Sequence, residues 1–268
     1  MSNRRPIDGG LVGEGARGDV PPLTSLGTAI AGSSRSTRAG RLPDRYAEPY
    51  DATFEARVRE AVRTGMRILD VGGGCQPTLA PAERPPGCHY VGLDLSREEM
   101  EKAGPGVYDE MVEADATVPI ERFKDSFDLI VSFQVMEHVK PLDVAIENLR
   151  LYLRPGGRLI AQMSGKFAVF GLINQALPNK AGMWALTHLV GKSPSEVFPA
   201  YYHRCCYSSL DRILAAWSDR VIVPLYVGAV PYWKFSRLLQ SIYVGYEEWA
   251  YLKGHHNLAS YYVIDAVR

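Results

Sequence analysis

Two short stretches of the sequence have the residue types of a nucleotide-binding site. An apolar run ends in Asp70-Val71-Gly72-Gly73-Gly74, and Gly92-Leu93-Asp94 follows about one strand–helix–strand unit later. Glycines allow a sharp turn and a close backbone approach to a ligand. An acidic side chain at the end of the next strand can accept both hydroxyl hydrogen bonds of a ribose. The spacing therefore predicts a site for an adenosine-containing cofactor, against the alternative of a glycine-rich turn without a ligand.

A nicotinamide dinucleotide is the closest rival ligand, and the turn departs from its pattern. That pattern has a third glycine three positions after the second, where helix and strand pack closely. Here the position is Pro77, which also lacks a backbone N–H donor.

Further motifs continue the series in order. Glu113-Ala114-Asp115-Ala116 and the apolar run Phe127–Phe133 come next, and Glu137-His138 and Leu153-Arg154-Pro155-Gly156-Gly157 follow. Over residues 55–164 the chain resembles class I S-adenosylmethionine-dependent methyltransferases, above all their small-molecule branch. The resemblance implies S-adenosylmethionine as cofactor.

The resemblance also implies roles for individual residues. Gly72 and Gly74 would pass under the methionine part of the cofactor, with Asp70 fixing the turn and its amine side. Asp94 would bind the ribose. Asp115 with Ala116 would contact the adenine edge of the cofactor. Phe133 with Gln134 would contact its methionyl end.

Methyl transfer from a sulfonium needs mainly alignment of the nucleophile, methyl and sulfur. For a hydroxyl acceptor a general base helps, and His138 is the candidate because imidazole titrates near neutral pH. The alternative is a histidine that only packs beneath the site. Some similar ubiquinone-pathway O-methyltransferases carry a glutamate where this chain has Gln134; an amide is a poorer ligand for a hard cation, so we expect no metal.

One missing motif indicates which kind of methyl acceptor to expect. The Asn/Asp-Pro-Pro-Tyr tetrad of many nucleic-acid and glutamine N-methyltransferases does not follow the fourth strand, where Ser132-Phe133-Gln134-Val135 stands. This favours a hydroxyl of a small molecule, lipid, glycolipid or secondary metabolite. Carbon methylation of a quinone-like or lipid acceptor is one alternative, and an inactive cofactor-binding scaffold protein is another.

The elements that must position these residues alternate along the chain. Strands are predicted at Arg67–Val71, His89–Leu93, Val107–Val112, Phe127–Phe133 and Arg158–Met163, with two more near residues 221–227 and 260–267. Amphipathic helices are predicted near residues 53–64, 142–153 and 208–217. Such alternation predicts an α/β fold with a doubly wound, mostly parallel seven-stranded sheet.

The predicted organisation is a disordered tail at residues 1–40 and a methyltransferase domain at 41–268. Aromatic insertions at about 165–207 and 228–257, after strands five and six, are the expected cap over the acceptor, with Tyr202 and His203 as candidate acceptor-binding residues. The mixture of aromatic and basic residues from Trp233 to Arg237 also suits peripheral contact with a membrane surface.

Composition narrows the partners. Lysine plus arginine and aspartate plus glutamate number 30 each, so the formal net charge is zero, and we expect no nucleic-acid partner. The four cysteines match no zinc pattern. With neither a secretory leader nor an apolar run of membrane-spanning length in the sequence, we expect a cytoplasmic enzyme acting on a small or lipid-like molecule.

Overall fold

A computed structural model describes residues 42–168, 200–229 and 236–268. Its strands are β1 Arg67–Val71, β2 His89–Asp94, β3 Glu110–Glu113, β4 Phe127–Phe133, β5 Leu153–Ser164, β6 Asp219–Leu225 and β7 Tyr261–Val267. Its α-helices are α1 Ala52–Ala61, α2 Arg97–Glu101, α3 Leu142–Tyr152, α4 Tyr207–Ile213 and α5 Arg237–Leu252. Short 3₁₀ turns include Asp44–Tyr46 and Met136–His138.

The strands form one seven-stranded sheet in the order β3-β2-β1-β4-β5-β7-β6. Strands β1 to β5 pair in parallel, and β7 runs antiparallel between β5 and β6. The order reverses between β1 and β4, which is where open α/β sheets bind ligands. The prediction of a mostly parallel, doubly wound sheet is confirmed.

Both faces of the sheet are covered, so its central strands are apolar on both sides. In β1, Ile68 faces a cluster with Phe54 and Val58 of α1, while Leu69 faces the cluster containing Leu149 of α3. Asp265 of β7 is fully buried and binds Arg57 of α1 as well as Arg158 of β5, at 2.6–2.7 Å. This ion-pair network holds α1 against strands β5 and β7 of the sheet.

Three predicted elements differ from the observed ones. Strand three was expected at 107–112, but β3 begins at Glu110 because the Tyr108 ring stacks on Tyr90 and its hydroxyl donates to the Gly74 carbonyl. Strand five begins earlier, at Leu153. The helix expected over 208–217 is α4 followed by a 3₁₀ turn at Leu214–Ala216.

Three predicted regions fall partly or wholly outside the described residues. The tail at residues 1–40 does so entirely, as do most of the first insertion and the stretch from Trp233 to Phe235. Of the second insertion, residues 237–252 form the sixteen-residue helix α5. Among the described helices, none is both long and apolar enough to span a membrane.

Candidate cofactor and methyl-transfer site

Asp70 organises the turn that follows β1. Its side chain is fully buried and accepts hydrogen bonds from the Thr78 N–H, the Thr78 hydroxyl and the Tyr90 hydroxyl, each at 2.7 Å. Burial raises the pKa of the Asp70 carboxyl, and these hydrogen bonds oppose the rise. The Asp70 carboxylate is therefore bound by groups within the protein, and its contact with the amine side of the cofactor stays a prediction.

Gly72 and Gly74 of this turn adopt backbone conformations that other residues rarely take. Gly72 has φ +77°, and a Cβ there would lie 2.4 Å from a methyl carbon of Val135. Gly74 has φ +47°, and its carbonyl accepts a hydrogen bond from the Tyr108 hydroxyl at 3.0 Å. The turn after β1 thus lies directly against the exit of β4, with bare backbone at its apex.

Asp94 ends β2 beside this turn. Its Oδ2 lies 3.6 Å from the position a Cβ would take on Gly74, and its Oδ1 accepts from the Ser96 N–H at 3.1 Å. Burial raises the pKa of Asp94, opposed by backbone N–H donors at Ser96 and Gly74. A half-buried carboxylate at the end of β2 next to a glycine turn fits the ribose of an adenosine cofactor.

Asp115 and Ala116 follow β3 on the same edge of the sheet. The Asp115 carboxylate is exposed, and one of its oxygens accepts from both the N–H and the hydroxyl of Thr117 at 2.8 Å. The Ala116 carbonyl accepts from the buried Asn148 amide at 2.9 Å. The loop is therefore held in one conformation, with an acid presented at the strand end.

At the end of β4, two side chains converge on Ser164 of β5. Ser164 Oγ donates to Gln134 Oε1 at 2.8 Å, and the Ser164 N–H donates to Glu137 Oε1 at 3.2 Å. Gln134 adopts φ +56°, and its N–H donates to the Gln162 carbonyl at 2.8 Å. The backbone thus brings an amide, a carboxylate and a hydroxyl together, a set we call the β4–β5 polar cluster.

Gln134 and Glu137, the two side chains that bind Ser164, each have one further polar atom without a hydrogen bond to the described residues. Gln134 Nε2 and Glu137 Oε2 are buried, and among the described residues neither has a hydrogen-bond partner. A buried polar atom without a partner costs about 1–3 kcal/mol. These two atoms belong to side chains that both bind Ser164, and they are candidates for hydrogen bonds to a ligand.

Glu137 is 3% exposed, and burial raises the pKa of its carboxyl. The neighbouring His138 charge and the Ser164 hydrogen bonds oppose that rise. His138 itself is half-buried in the 3₁₀ turn Met136–His138. The predicted base therefore lies in direct electrostatic contact with a buried acid that the sequence interpretation named only as part of a motif.

Aromatic rings line the side of the cluster nearest α1. The Tyr50 ring lies 5.1 Å from Tyr261 and 6.1 Å from Phe133, and Phe54 lies 5.2 Å from Phe133. Burial raises the pKa of the Tyr50 phenol, and the charges of Asp51 and Glu137 add to the rise. The side chain of Phe133, predicted to contact the cofactor, thus packs against the α1 side of the sheet.

Tyr202 and His203, the predicted acceptor-binding residues, pack on the segment that follows β4. The Tyr202 N–H donates to the Glu137 carbonyl at 2.9 Å, and the Tyr202 side chain is buried. His203 Nδ1 accepts from the Leu142 N–H at the start of α3, at 3.3 Å. Both residues therefore position residues 137–142, and any acceptor contact would add to this structural role.

Four features of this site carried little signal in the sequence. The partners Thr78, Tyr90 and Ser164 belong to no motif, and Tyr50 precedes the motif region.

Two open surface hollows of about 260 and 420 Å³ lie near Tyr207 and the 254–258 turn, and no predicted site residue lines them. Within the described parts of the chain, no group of three or more His, Cys, Asp or Glu could hold a metal ion, and all four cysteines are free thiols.

Comparison with known proteins agrees with this geometry. The sequence model of the methyltransferase domain matches residues 41–216. Methyltransferase GfsG of Streptomyces halstedii is 34% identical over 105 residues, covering 37% of each chain. A ubiquinone biosynthesis O-methyltransferase of Chelativorans sp. (strain BNC1) is 31% identical over 113 residues, covering 40% of this chain and 44% of the relative. The match therefore spans less than half the length of either relative.

The fold has a counterpart among solved structures. The phosphoethanolamine N-methyltransferase 2 of Haemonchus contortus, in complex with phosphomonomethylethanolamine and S-adenosylhomocysteine, superposes with a TM-score of 0.50 at 16% identity. The superposition covers 81% of this chain and 53% of that one. With the family match spanning most of the chain, the protein belongs to the class I S-adenosylmethionine-dependent methyltransferases.

Proposed function

We propose that this protein transfers a methyl group from S-adenosylmethionine to a hydroxyl oxygen of a small or lipid-like molecule. The observation that carries the proposal is the pair of unsatisfied atoms in the β4–β5 polar cluster, Gln134 Nε2 and Glu137 Oε2. A hydroxyl group both accepts and donates a hydrogen bond. It can therefore satisfy the amide donor and the carboxylate acceptor together.

Other acceptor types match this pair less well. An amine that attacks the methyl group is neutral, and its single lone pair points at the methyl, so it would leave the Gln134 amide without an acceptor. A carbon nucleophile offers no hydrogen bond of its own to either atom. Carbon methylation therefore ranks second, with its own product signature in the test below.

The strand ends offer a place for each part of the cofactor. When bound, the cofactor supplies a methyl group attached to a positively charged sulfur, which is a good leaving group. We assign the glycine turn at Gly72 and Gly74 to the methionine part and Asp94 to the ribose. Asp115 and the Ala116 backbone are assigned to the adenine. Asp70 holds the turn, since its carboxylate is already bound by Thr78 and Tyr90.

Proton removal is assigned to the turn after β4. Glu137 Oε2 accepts the hydrogen bond of the acceptor hydroxyl, and Gln134 Nε2 donates to its oxygen and fixes its direction. His138, next to Glu137 in the 3₁₀ turn, takes up the proton as a neutral imidazole while the oxygen–methyl bond forms and the methyl–sulfur bond breaks. Burial raises the pKa of the Glu137 carboxyl above its ordinary value.

Acceptor choice is assigned to the surroundings of this cluster. The rings of Tyr50, Phe133 and Tyr261 form an apolar wall suited to a planar or amphipathic acceptor. Tyr202 and His203 fix the opposite side through Glu137 and Leu142. Acceptor contact by these two residues remains a prediction.

The test uses isotopically methyl-labelled S-adenosylmethionine with hydroxylated aromatic and lipid-like compounds, and with their methoxy and amino counterparts. We expect release of S-adenosylhomocysteine and a labelled methoxy product only with hydroxyl compounds, identified by mass spectrometry. Labelled carbon–methyl or amine products would contradict the proposal. Cofactor binding without turnover on any member of the panel would favour the scaffold alternative.

A further inference from the structure

Helix α5 presents an apolar stripe to solvent. Leu238, Ile242, Trp249 and Leu252 are 71%, 62%, 47% and 59% exposed. At about 100° per residue these positions fall within an arc of about 80°. They span fifteen residues of the helix, from Leu238 to Leu252, or about 21 Å over fourteen steps of about 1.5 Å. We call these four residues the α5 stripe.

The orientation of the helix is fixed from its opposite side. Glu247 is fully buried and accepts hydrogen bonds from the N–H groups of Gly228 and Ala229, at 2.9 and 3.1 Å. The hydroxyls of Tyr46 and Ser260 also donate to it. Because this clamp holds the inner face against the domain, the α5 stripe cannot rotate inward.

The charges around the stripe indicate what it meets. Arg237 and Lys253 are exposed at its two ends. The acidic residues of the helix add no unpaired charge, since Glu247 is buried and Glu248 pairs with Arg45. An apolar stripe with a tryptophan and basic ends matches the interface of a bilayer that contains anionic lipids.

We propose that the α5 stripe rests on the surface of an anionic lipid bilayer. A second copy of this chain fits less well, because a two-fold antiparallel pairing of the helices would bring their basic ends together. The open space at Gly245, in the middle of the stripe, leaves a flat contact along the helix.

The position of α5 relates this surface to the site. Gly228 and Ala229 follow the end of β6, and Ser260 precedes β7. Since β7 is antiparallel, these residues lie at the edge of the sheet where β1 to β4 also end. The bilayer contact and the β4–β5 polar cluster are therefore at the same end of the sheet.

Flotation of the full-length chain with lipid vesicles tests the proposal without any activity readout. We expect the protein to float with vesicles of mixed phosphatidylcholine and phosphatidylglycerol, and only weakly with phosphatidylcholine alone. The double variant Ile242→Ser with Trp249→Ser should partition at least about tenfold more weakly. The double variant Val118→Ser with Val144→Ser changes two exposed apolar residues elsewhere and should float like the wild type.

A second variant separates the charge contribution from the apolar one. Arg237→Glu with Lys253→Glu should reduce flotation with anionic vesicles by about tenfold or more, with circular dichroism confirming that the helix persists. Equal flotation of the wild type and the Ile242→Ser, Trp249→Ser variant would overturn the proposal, as would a wild type that binds no vesicles. A wild-type dimer in sedimentation that the stripe variant dissociates, without vesicle binding, would assign the surface to a second copy.

Discussion

Two buried glutamates of this protein differ in how fully hydrogen bonds from the protein satisfy their carboxylates. Glu247 on α5 receives four donors, from residues near β6, β7 and the amino-terminal 3₁₀ turn. Glu137 after β4 accepts from the Ser164 N–H through Oε1, and its Oε2 has no partner among the described residues. Burial raises the pKa of both carboxyls.

The difference distinguishes a structural carboxylate from a functional one. The lone pairs of Glu247 are occupied by the protein, so the residue stabilises the packing of α5 and offers nothing to a ligand. Glu137 shares its partner Ser164 with Gln134, whose amide also has an unsatisfied atom, at the sheet edge where such folds bind ligands. Depth of burial and direction of the pKa shift are the same at both positions, so satisfaction of the polar atoms is the more informative observation.

The largest expected effect is on stability, at Glu247. Glu247→Ala removes the acceptor of four buried donors, so we expect a loss of about 3–5 kcal/mol in the free energy of unfolding. Urea denaturation measures this loss. The adjacent variant Glu248→Ala removes a partly exposed pair with Arg45 and should cost less than about 1 kcal/mol. Similar losses for the two variants would show that Glu247 is no clamp.

The next effect is on turnover, at Glu137. Glu137→Gln is close in shape and replaces the carboxylate oxygen that is assigned to the acceptor hydroxyl, so kcat should fall about 100-fold, within the range for lost proton-transfer assistance. Affinity for S-adenosylmethionine should stay unchanged. Steady-state kinetics with an accepted hydroxyl compound and calorimetry with the cofactor measure the two quantities. An unchanged kcat would reduce Glu137 to a packing residue.

The same variant has a signature in the pH dependence of stability. Because burial raises the pKa of Glu137 in the folded protein, the folded state favours the protonated acid. The associated stabilisation is complete below the ordinary carboxyl pKa and is lost as the pH rises through the raised value. Glutamine does not titrate, so the stability of Glu137→Gln relative to wild type should increase across that window. A difference that is flat with pH would contradict the raised pKa.

Features within local motifs could be predicted from the sequence, whereas the long-range contacts around the two glutamates could not. The strands, the glycine turn and Asp94 lie in motifs with local spacing, and the predicted sheet and family were confirmed. The Gln134–Ser164 contact joins residues thirty positions apart, and the Glu247 clamp joins Tyr46 to α5 across two hundred. Such contacts depend on tertiary packing, which periodicity does not encode.

The predictions for Tyr202 and His203 illustrate the same limit. Their residue types suggested contact with an acceptor, whereas the structure uses their backbone and ring nitrogen to hold the turn after β4. An aromatic or imidazole side chain at the end of an insertion suits either purpose. The contacts with Glu137 and Leu142 show the structural role, and contact with the acceptor stays a prediction.

The central claim is that the strand ends hold S-adenosylmethionine, and calorimetric titration of the full-length chain with this cofactor tests it most directly. We predict saturable binding by the wild type. Asp94→Ala should weaken binding by about 1.5–3 kcal/mol, the range for hydrogen bonds to a charged group, or about 10- to 150-fold in Kd. Asp211→Ala, the same change at an exposed aspartate on α4, should bind like the wild type. No binding by the wild type, or unchanged affinity in a folded Asp94→Ala protein, would contradict the account.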